Sequence, residues 1–205
     1  MKPDAPTISS VIPDTNPAPV NVSVATEPVA WRSGDEVRRK LDDLLVKVAK
    51  SVRTLMNYDS FMVMRVDEAR QQLRSVFSIR YDKRDQMDSW PIGEGLTGAA
   101  AQSRRPVLAR DTAEDPRYME WHPGIRSEIA VPLIVKGRVV GVMDLESERV
   151  GYFNEDHVRT LGLIAPSIAT AMENARLYEE LEHREKSIQQ DLEAAGHDDG
   201  RQRVA

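Results

Sequence analysis

Apolar positions change period several times along this chain, and each change marks an element. Val37, Leu41, Leu44, Leu45, Val48, Val52, Leu55 and Met56 recur at spacings of three and four, which draws one stripe along a helix opening at Asp35. Ser33, three residues ahead of Glu36, has the form of a capping box, and Asn57 closes the helix. The period then falls to two. Residues 61–66 and 73–79, rich in β-branched and aromatic side chains, predict two strands of a hairpin around the polar segment 67–72. The charged segment 81–89 reads as a loop. Trp90-Pro91-Ile92 reads as a short strand that stops at Gly93-Glu94-Gly95, and the alanine-rich 96–103 as a helix. A short strand over 106–109 and a long polar loop over 110–126 follow. Residues 127–135 and 138–146 make the strongest strand pair, turned by Lys136-Gly137, and Pro132 places the first of them at an edge or a bulge. Asn154 is an N-cap with Glu155 and Asp156 in the first turn; the helix it opens runs to Ala195 and kinks at Pro166.

Strands joined as hairpins, with helices at both ends of the order, predict an α+β fold built on an antiparallel sheet. Proline places the first boundary. Pro3, Pro6, Pro13, Pro17, Pro19 and Pro28, out of twelve prolines in all, stand in a stretch without any period, so 1–34 reads as a disordered leader. Residues 35–181 form the domain, and 182–205 a coiled-coil extension with a frayed tail.

Composition removes whole classes of chemistry. The 205 residues include no cysteine, which excludes disulfides, thiolate metal sites, a cysteine nucleophile and a thioether-linked chromophore. A net charge of −5 without a concentrated basic face argues against nucleic acid as a partner. No run of ~18 apolar residues is present, and residues 1–10 lack a basic region followed by an apolar one. Neither a membrane partner nor export is expected, and the chain reads as cytoplasmic.

Several blocks carry a resemblance to a known family. Gly93-Glu94-Gly95-Leu96-Thr97-Gly98, Pro106-Val107-Leu108 and Arg126-Ser127-Glu128-Ile129-Ala130-Val131-Pro132-Leu133 resemble signature blocks of GAF domains. So do Gly141-Val142-Met143-Asp144-Leu145-Glu146-Ser147, Phe153-Asn154-Glu155-Asp156 and Ala171-Met172-Glu173-Asn174-Ala175-Arg176-Leu177-Tyr178, in order and at family spacing over 37–181. The likeness is to the bacterial sensor type found ahead of PPM-type phosphatases, histidine kinases and cyclases. It implies a central antiparallel sheet of five or six strands, the first and last helices on one face, and a small-molecule pocket on the other.

On that frame the candidate ligand-binding residues are Phe77, Trp90, Gly95, Leu96, Thr97, Tyr118, Trp121, Glu128, Asp144 and Glu146. The glycines around Gly95 let a strand turn into a helix whose free N–H groups can meet an anion, and they serve the turn alone equally well. Asp144 and Glu146 resemble the acidic pair with which family members that reduce free methionine sulfoxide hold a substrate amine. Alternation in a strand puts both on one face, and an exposed sheet edge accounts for them as simply. Tyr118 and Trp121 cap a ligand or anchor their loop on the sheet; Phe77 and Trp90 suit a core as well as a ligand platform. A covalent bilin is excluded by the missing cysteine. Haem is disfavoured, because of the four histidines His122 alone sits where a lid could face a pocket. The ligand is left open between a cyclic nucleotide and another small molecule, and no metal-ligand spacing is seen.

The last helix holds a 3-4 seam over about four heptads, from Ile164 to Ala195. Tyr178, Leu181, Ile188 and Leu192 are its apolar positions; Asn174 and Glu185 are polar ones. A lone helix of this kind shows apolar side chains to water, so a homodimer is expected. The expected function is a small-molecule-sensing regulatory domain that dimerises through its terminal helices and signals to an output protein. No catalysis is expected, because the reductases of the resembled family rely on cysteines and no nucleophile–base pair is seen. The alternative is a structural dimerisation module with a collapsed, ligand-free pocket.

Overall fold

The computed structural model describes residues 34–81, 83–84 and 89–202, with side chains to residue 192. The leader before Gly34 and the Ser33 half of the capping box lie outside the described residues. Helix α1 (Gly34–Leu55) turns Val37, Leu45, Ala49 and Val52 inward on one stripe, with Asp35 and Glu36 in the first turn where the helix dipole favours them. Strands β1 (Ser60–Asp67) and β2 (Gln72–Arg80) form the first hairpin, followed by two short strands that both pair with β2, β3 (Lys83–Arg84) and β4 (Ser89–Pro91). Helix α2 (Gly95–Ser103), β5 (Val107–Ala109), β6 (Ser127–Val135), β7 (Arg138–Ser147) and α3 (Glu155–Gln202) complete the order.

The sheet runs β3-β2-β1-β7-β6-β5, with every pairing antiparallel. β7 therefore lies inside the sheet, between β1 and β6. Both faces of the central strands are buried, which explains their nearly continuous apolar sequences. Phe61, Val63, Ile129, Val131, Met143 and Leu145 meet α1 and α3 on one side. Met62, Met64, Ala130 and Val142 meet α2 and β5 on the other. Adjacent residues of one strand thus serve two cores.

Pro132 is accommodated as its chemistry requires. β5 covers only Glu128–Ala130 of β6, so β6 is an outer strand at Pro132, and the pairing with β7 shifts just beyond it. β3 lies within the charged segment read as a loop, a two-residue ladder that follows Tyr81, whose φ is +45. The Asn154 side chain accepts from the N–H groups of Asp156 and His157 at 2.9 and 3.2 Å, closing the start of α3 as expected. Pro166 lies inside α3 without interrupting it. The helix also continues past Ala195, where the sequence predicts a tail. Once nucleated, each added residue gains a hydrogen bond, and Gly196 and Gly200 cost only ~1 kcal/mol each. Among the described residues, no helix is long and apolar enough to cross a membrane.

Candidate functional site

The site is assembled on the sheet face opposite α1 and α3. β4 delivers Trp90 to it, held by pairing with Leu73 of β2. The Trp90 indole N–H donates to the Thr97 hydroxyl at 2.7 Å, which ties β4 to the first turn of α2. That turn begins at Gly95, whose φ of +66 suits glycine. Glu94 precedes it in extended conformation and makes no side-chain cap bond, so the first N–H groups of α2 have no partner from its side chain. Gly98 is needed for closeness instead: a Cβ there would lie 2.8 Å from the Gly93 nitrogen and 2.9 Å from the Pro91 carbonyl oxygen.

Three carboxylates face this helix start. Glu128 on β6 lies in register with Glu146 on β7, and Asp144, two residues before Glu146, shares its face. They are 5 %, 1 % and 4 % exposed, so water does little to solvate their charge. Burial is the largest cause of the upward shift of the Glu128 carboxyl, to about 8; the Glu146 charge adds to it, and a hydrogen bond to Asp144 opposes it. Burial, then the charges of Glu128 and Glu146, also hold the Asp144 carboxyl well above the usual range. Burial thus makes both carboxyls resist ionisation. The remaining Asp144 oxygen, Oδ1, is buried and has no hydrogen-bond partner among the described residues.

The long loop between β5 and β6 closes over them. Its base is pinned by the Asp111–Arg126 ion pair at 2.8 Å and by the Thr112 hydroxyl donating to the Ile125 carbonyl at 2.7 Å. Within it His122 is buried, and its Nδ1 lies 2.6 Å from Glu146 Oε2. Trp121, next to it, is half exposed and stands over Trp90 with ring centroids 6.0 Å apart. Tyr118 is tucked beneath; burial first, then the nearby acids, push its hydroxyl up, and that oxygen has no hydrogen-bond partner among the described residues.

Between loop, helix and strands lies a cavity of about 110 Å³. Trp90, Gly95, Leu96, Thr97, Trp121, Glu128, Asp144 and Glu146 line it, together with Met62, Met119 and Glu120. Larger clefts of about 970 and 610 Å³ are open grooves along α3, edged by ion-paired side chains such as Arg65–Glu179 and Arg138–Glu173.

Eight of the ten candidates read from the sequence therefore meet at one cavity. Tyr118 stands beside it. Phe77 does not belong: register with Val63 turns it to the helix face, where it packs on Phe61 with ring centroids 6.0 Å apart. The exposed edge that would account for Asp144 and Glu146 is likewise corrected, because β1 covers the far side of β7. His122, which the sequence offers only as a haem ligand, joins the site through Glu146 without lining the cavity. Its signal was the run Tyr118-Met119-Glu120-Trp121-His122, too apolar for a solvated loop. Chemically the site can bind a cation, or hold and release a proton near neutral pH.

A family model described as "GAF domain" matches residues 39–173. GAF domain-containing protein A of Dictyostelium discoideum is 30% identical over 63 residues, covering 31% of this chain and 40% of that protein. The free methionine-R-sulfoxide reductase of Escherichia coli is 29% identical over 66 residues, covering 32% of this chain and 40% of that protein. This chain therefore matches about two fifths of the length of either curated relative. Among solved structures, the type II free methionine-R-sulfoxide reductase of Thermoplasma acidophilum superposes with a TM-score of 0.61 at 19% identity, over 67% of this chain and 96% of that one. These likenesses correct the expectation that the chain is not an enzyme. A curated relative and solved structures with this fold carry the names of enzymes. The missing cysteine removes thiol chemistry from this chain, not catalysis as such.

Proposed function

Because the chain belongs to the GAF domain family, we propose that its cavity takes a small ligand carrying a protonated amine, and that the domain is a dimeric regulatory module whose terminal helices pass ligand occupancy to an output protein. One observation carries the ligand class: Glu128, Asp144 and Glu146 converge, buried, on a cavity that no lysine or arginine lines among the described residues. Burial disfavours the charged form of these carboxyls, and a cation in the cavity would favour it. The cavity, about 110 Å³, has room for a compact ligand of amino-acid size rather than for a tetrapyrrole. Trp90 and Trp121 offer aromatic faces that attract such a cation. Relatives named for free methionine sulfoxide, an amino acid, support the same class.

The dimer is supported by apolar surface. Val37, Leu41, Leu44 and Tyr178 line a groove of about 310 Å³ between α1 and α3. Beyond it Leu181, Ile188 and Leu192 of α3 are 55 %, 59 % and 69 % exposed.

Thermal midpoints test the ligand reading. At pH 8, L-methionine and other small amino acids are expected to raise the midpoint as their concentration rises, whereas N-acetyl-methionine, without a cationic amine, leaves it unchanged. At 100 times Kd the stabilisation is ~2.7 kcal/mol. Asp144→Asn should remove most of it. A shift with cyclic nucleotides and none with amines, or equal shifts with and without the acetyl group, overturns the reading.

A further inference from the structure

Three carboxyls meet in the cavity wall, and among the described residues no lysine or arginine stands there with them. Glu128 and Glu146 are direct partners across β6 and β7, and Asp144, two residues before Glu146, shares their face. All three line the cavity, and Asp144 Oδ1 has no hydrogen-bond partner among the described residues. The elements packed around Glu128 bring little compensation. Ala109 of β5 lies in register with it, and Met62 of β1 and Thr97 of α2 line the same cavity; these are neutral. The loop brings Glu120, Tyr118, Asp115, whose charge reaches Glu128, and His122, which stands 2.6 Å from Glu146. Arg80 of β2 continues the row of Ser60 and Glu146, but lies two strands from Glu146 and within 3.8 Å of Glu148. Carboxylates so close repel one another, and burial adds to the cost of each charge. Glu128 and Asp144 are hydrogen-bonded to each other. Such a bond needs a proton on one of them, because an ionised carboxylate has no hydrogen to donate.

We propose that the cavity exchanges a proton for its ligand: as an ammonium enters beside Asp144, the proton between Glu128 and Asp144 leaves to bulk water, so that the domain responds to amine and pH jointly. The inference rests on the amine reading above and names how that site is regulated. The step balances. One O–H bond of the acid pair breaks, its electrons stay on the carboxylate, and one positive charge leaves as another enters. The ammonium thereby takes over from the proton in holding two buried carboxyls together. His122 need not move, since Asp144 Oδ1 offers the ammonium an acceptor. Below neutral pH the pair keeps its proton more firmly, and more ligand is needed for the same occupancy. A neutral ligand has no charge to trade and leaves the proton in place.

Calorimetric titration of the full chain with L-methionine at pH 6.5, in phosphate and in bis-Tris, tests this, because the two buffers differ in their heat of ionisation. At that pH an α-amine, which titrates near ~8, enters already charged, so a released proton comes from the protein. The wild type should release about one proton per methionine, and affinity should rise about 10-fold per pH unit between 5.5 and 7.5. Glu128→Gln keeps a hydrogen-bond donor for Asp144 but carries no ionisable proton. Its release should fall towards zero and its affinity stay flat over the same range. His122→Gln should release as the wild type does, which separates the acid pair from the imidazole as the source. Methionine binding without proton release, release undiminished in Glu128→Gln, or release lost in His122→Gln overturns the exchange and leaves the amine reading standing. Absence of methionine binding to all three proteins at every pH overturns the amine reading and this inference with it.

Discussion

Glu128 decides how this protein responds to pH. Its carboxyl is raised from the ordinary 4.5 to about 8 because it is buried beside Glu146, eased only by the bond to Asp144. Between those values the folded state holds a proton that the unfolded chain has released, so stability falls as pH rises from 4.5 to 8. Asp144, raised in the same direction by its burial, adds to this loss. Glu128→Gln, which keeps shape and hydrogen bonding but cannot ionise, should therefore raise the thermal midpoint at pH 8 by about 5–10 °C and change it little at pH 5. A wild-type midpoint that rises across this window sinks the prediction. At this scale the sequence was partly legible. The alternation of Asp144 and Glu146 puts both on one face without further information. Their burial depends on β1 returning to cover β7, a pairing of residues roughly eighty apart that no local pattern encodes. His122 is buried by the same kind of distant partner, 24 residues away.

Elements were easier to read than faces. Strand periods, the Lys136-Gly137 turn and the Asn154 cap are local, and the structure places them where the pattern does. Phe77 was misplaced although its strand was found, because the face it takes depends on register with β1, which shifts between Val63 and Met64. α2 shows how an element is positioned by one small residue. Gly98→Ala would gain ~1 kcal/mol of helix propensity. The new Cβ, however, would sit 2.8 Å from the Gly93 nitrogen and 2.9 Å from the Pro91 oxygen, backbone atoms that cannot rotate away. Overpacking costs ~1–3 kcal/mol, so a net loss on the order of 1 kcal/mol in urea unfolding is expected. The larger effect should fall on ligand affinity, because relief of the clash must move the start of α2, a wall of the cavity. An unchanged affinity with lowered stability would show that the glycine serves the turn alone.

On the scale of the whole molecule, the question is what covers α3. Its anchors on the domain reach as far as Glu182, which accepts from the Gly34 N–H at 2.7 Å, and Glu179, which pairs with Arg65 at 2.9 Å. From 183 to 192 every side chain is exposed. The helix runs twenty residues beyond that anchor, to Gln202, ~30 Å, and a helix of that length is marginal in water on its own. Tyr178, Leu181, Ile188 and Leu192 recur at spacings of three, seven and four, which is a heptad seam with Glu185 as its polar member. A second copy laid along the same stripe would cover these side chains and continue the groove between α1 and α3. Leu181→Glu with Ile188→Glu should then convert a dimer into a monomer in sedimentation at micromolar concentration. Helical circular dichroism should fall by the contribution of the extension alone. The cavity lies on the opposite sheet face, so methionine affinity should survive in the monomer unless the two copies communicate. A wild type that sediments as a monomer at every concentration refutes the dimer. A double variant that stays dimeric moves the interface off this seam.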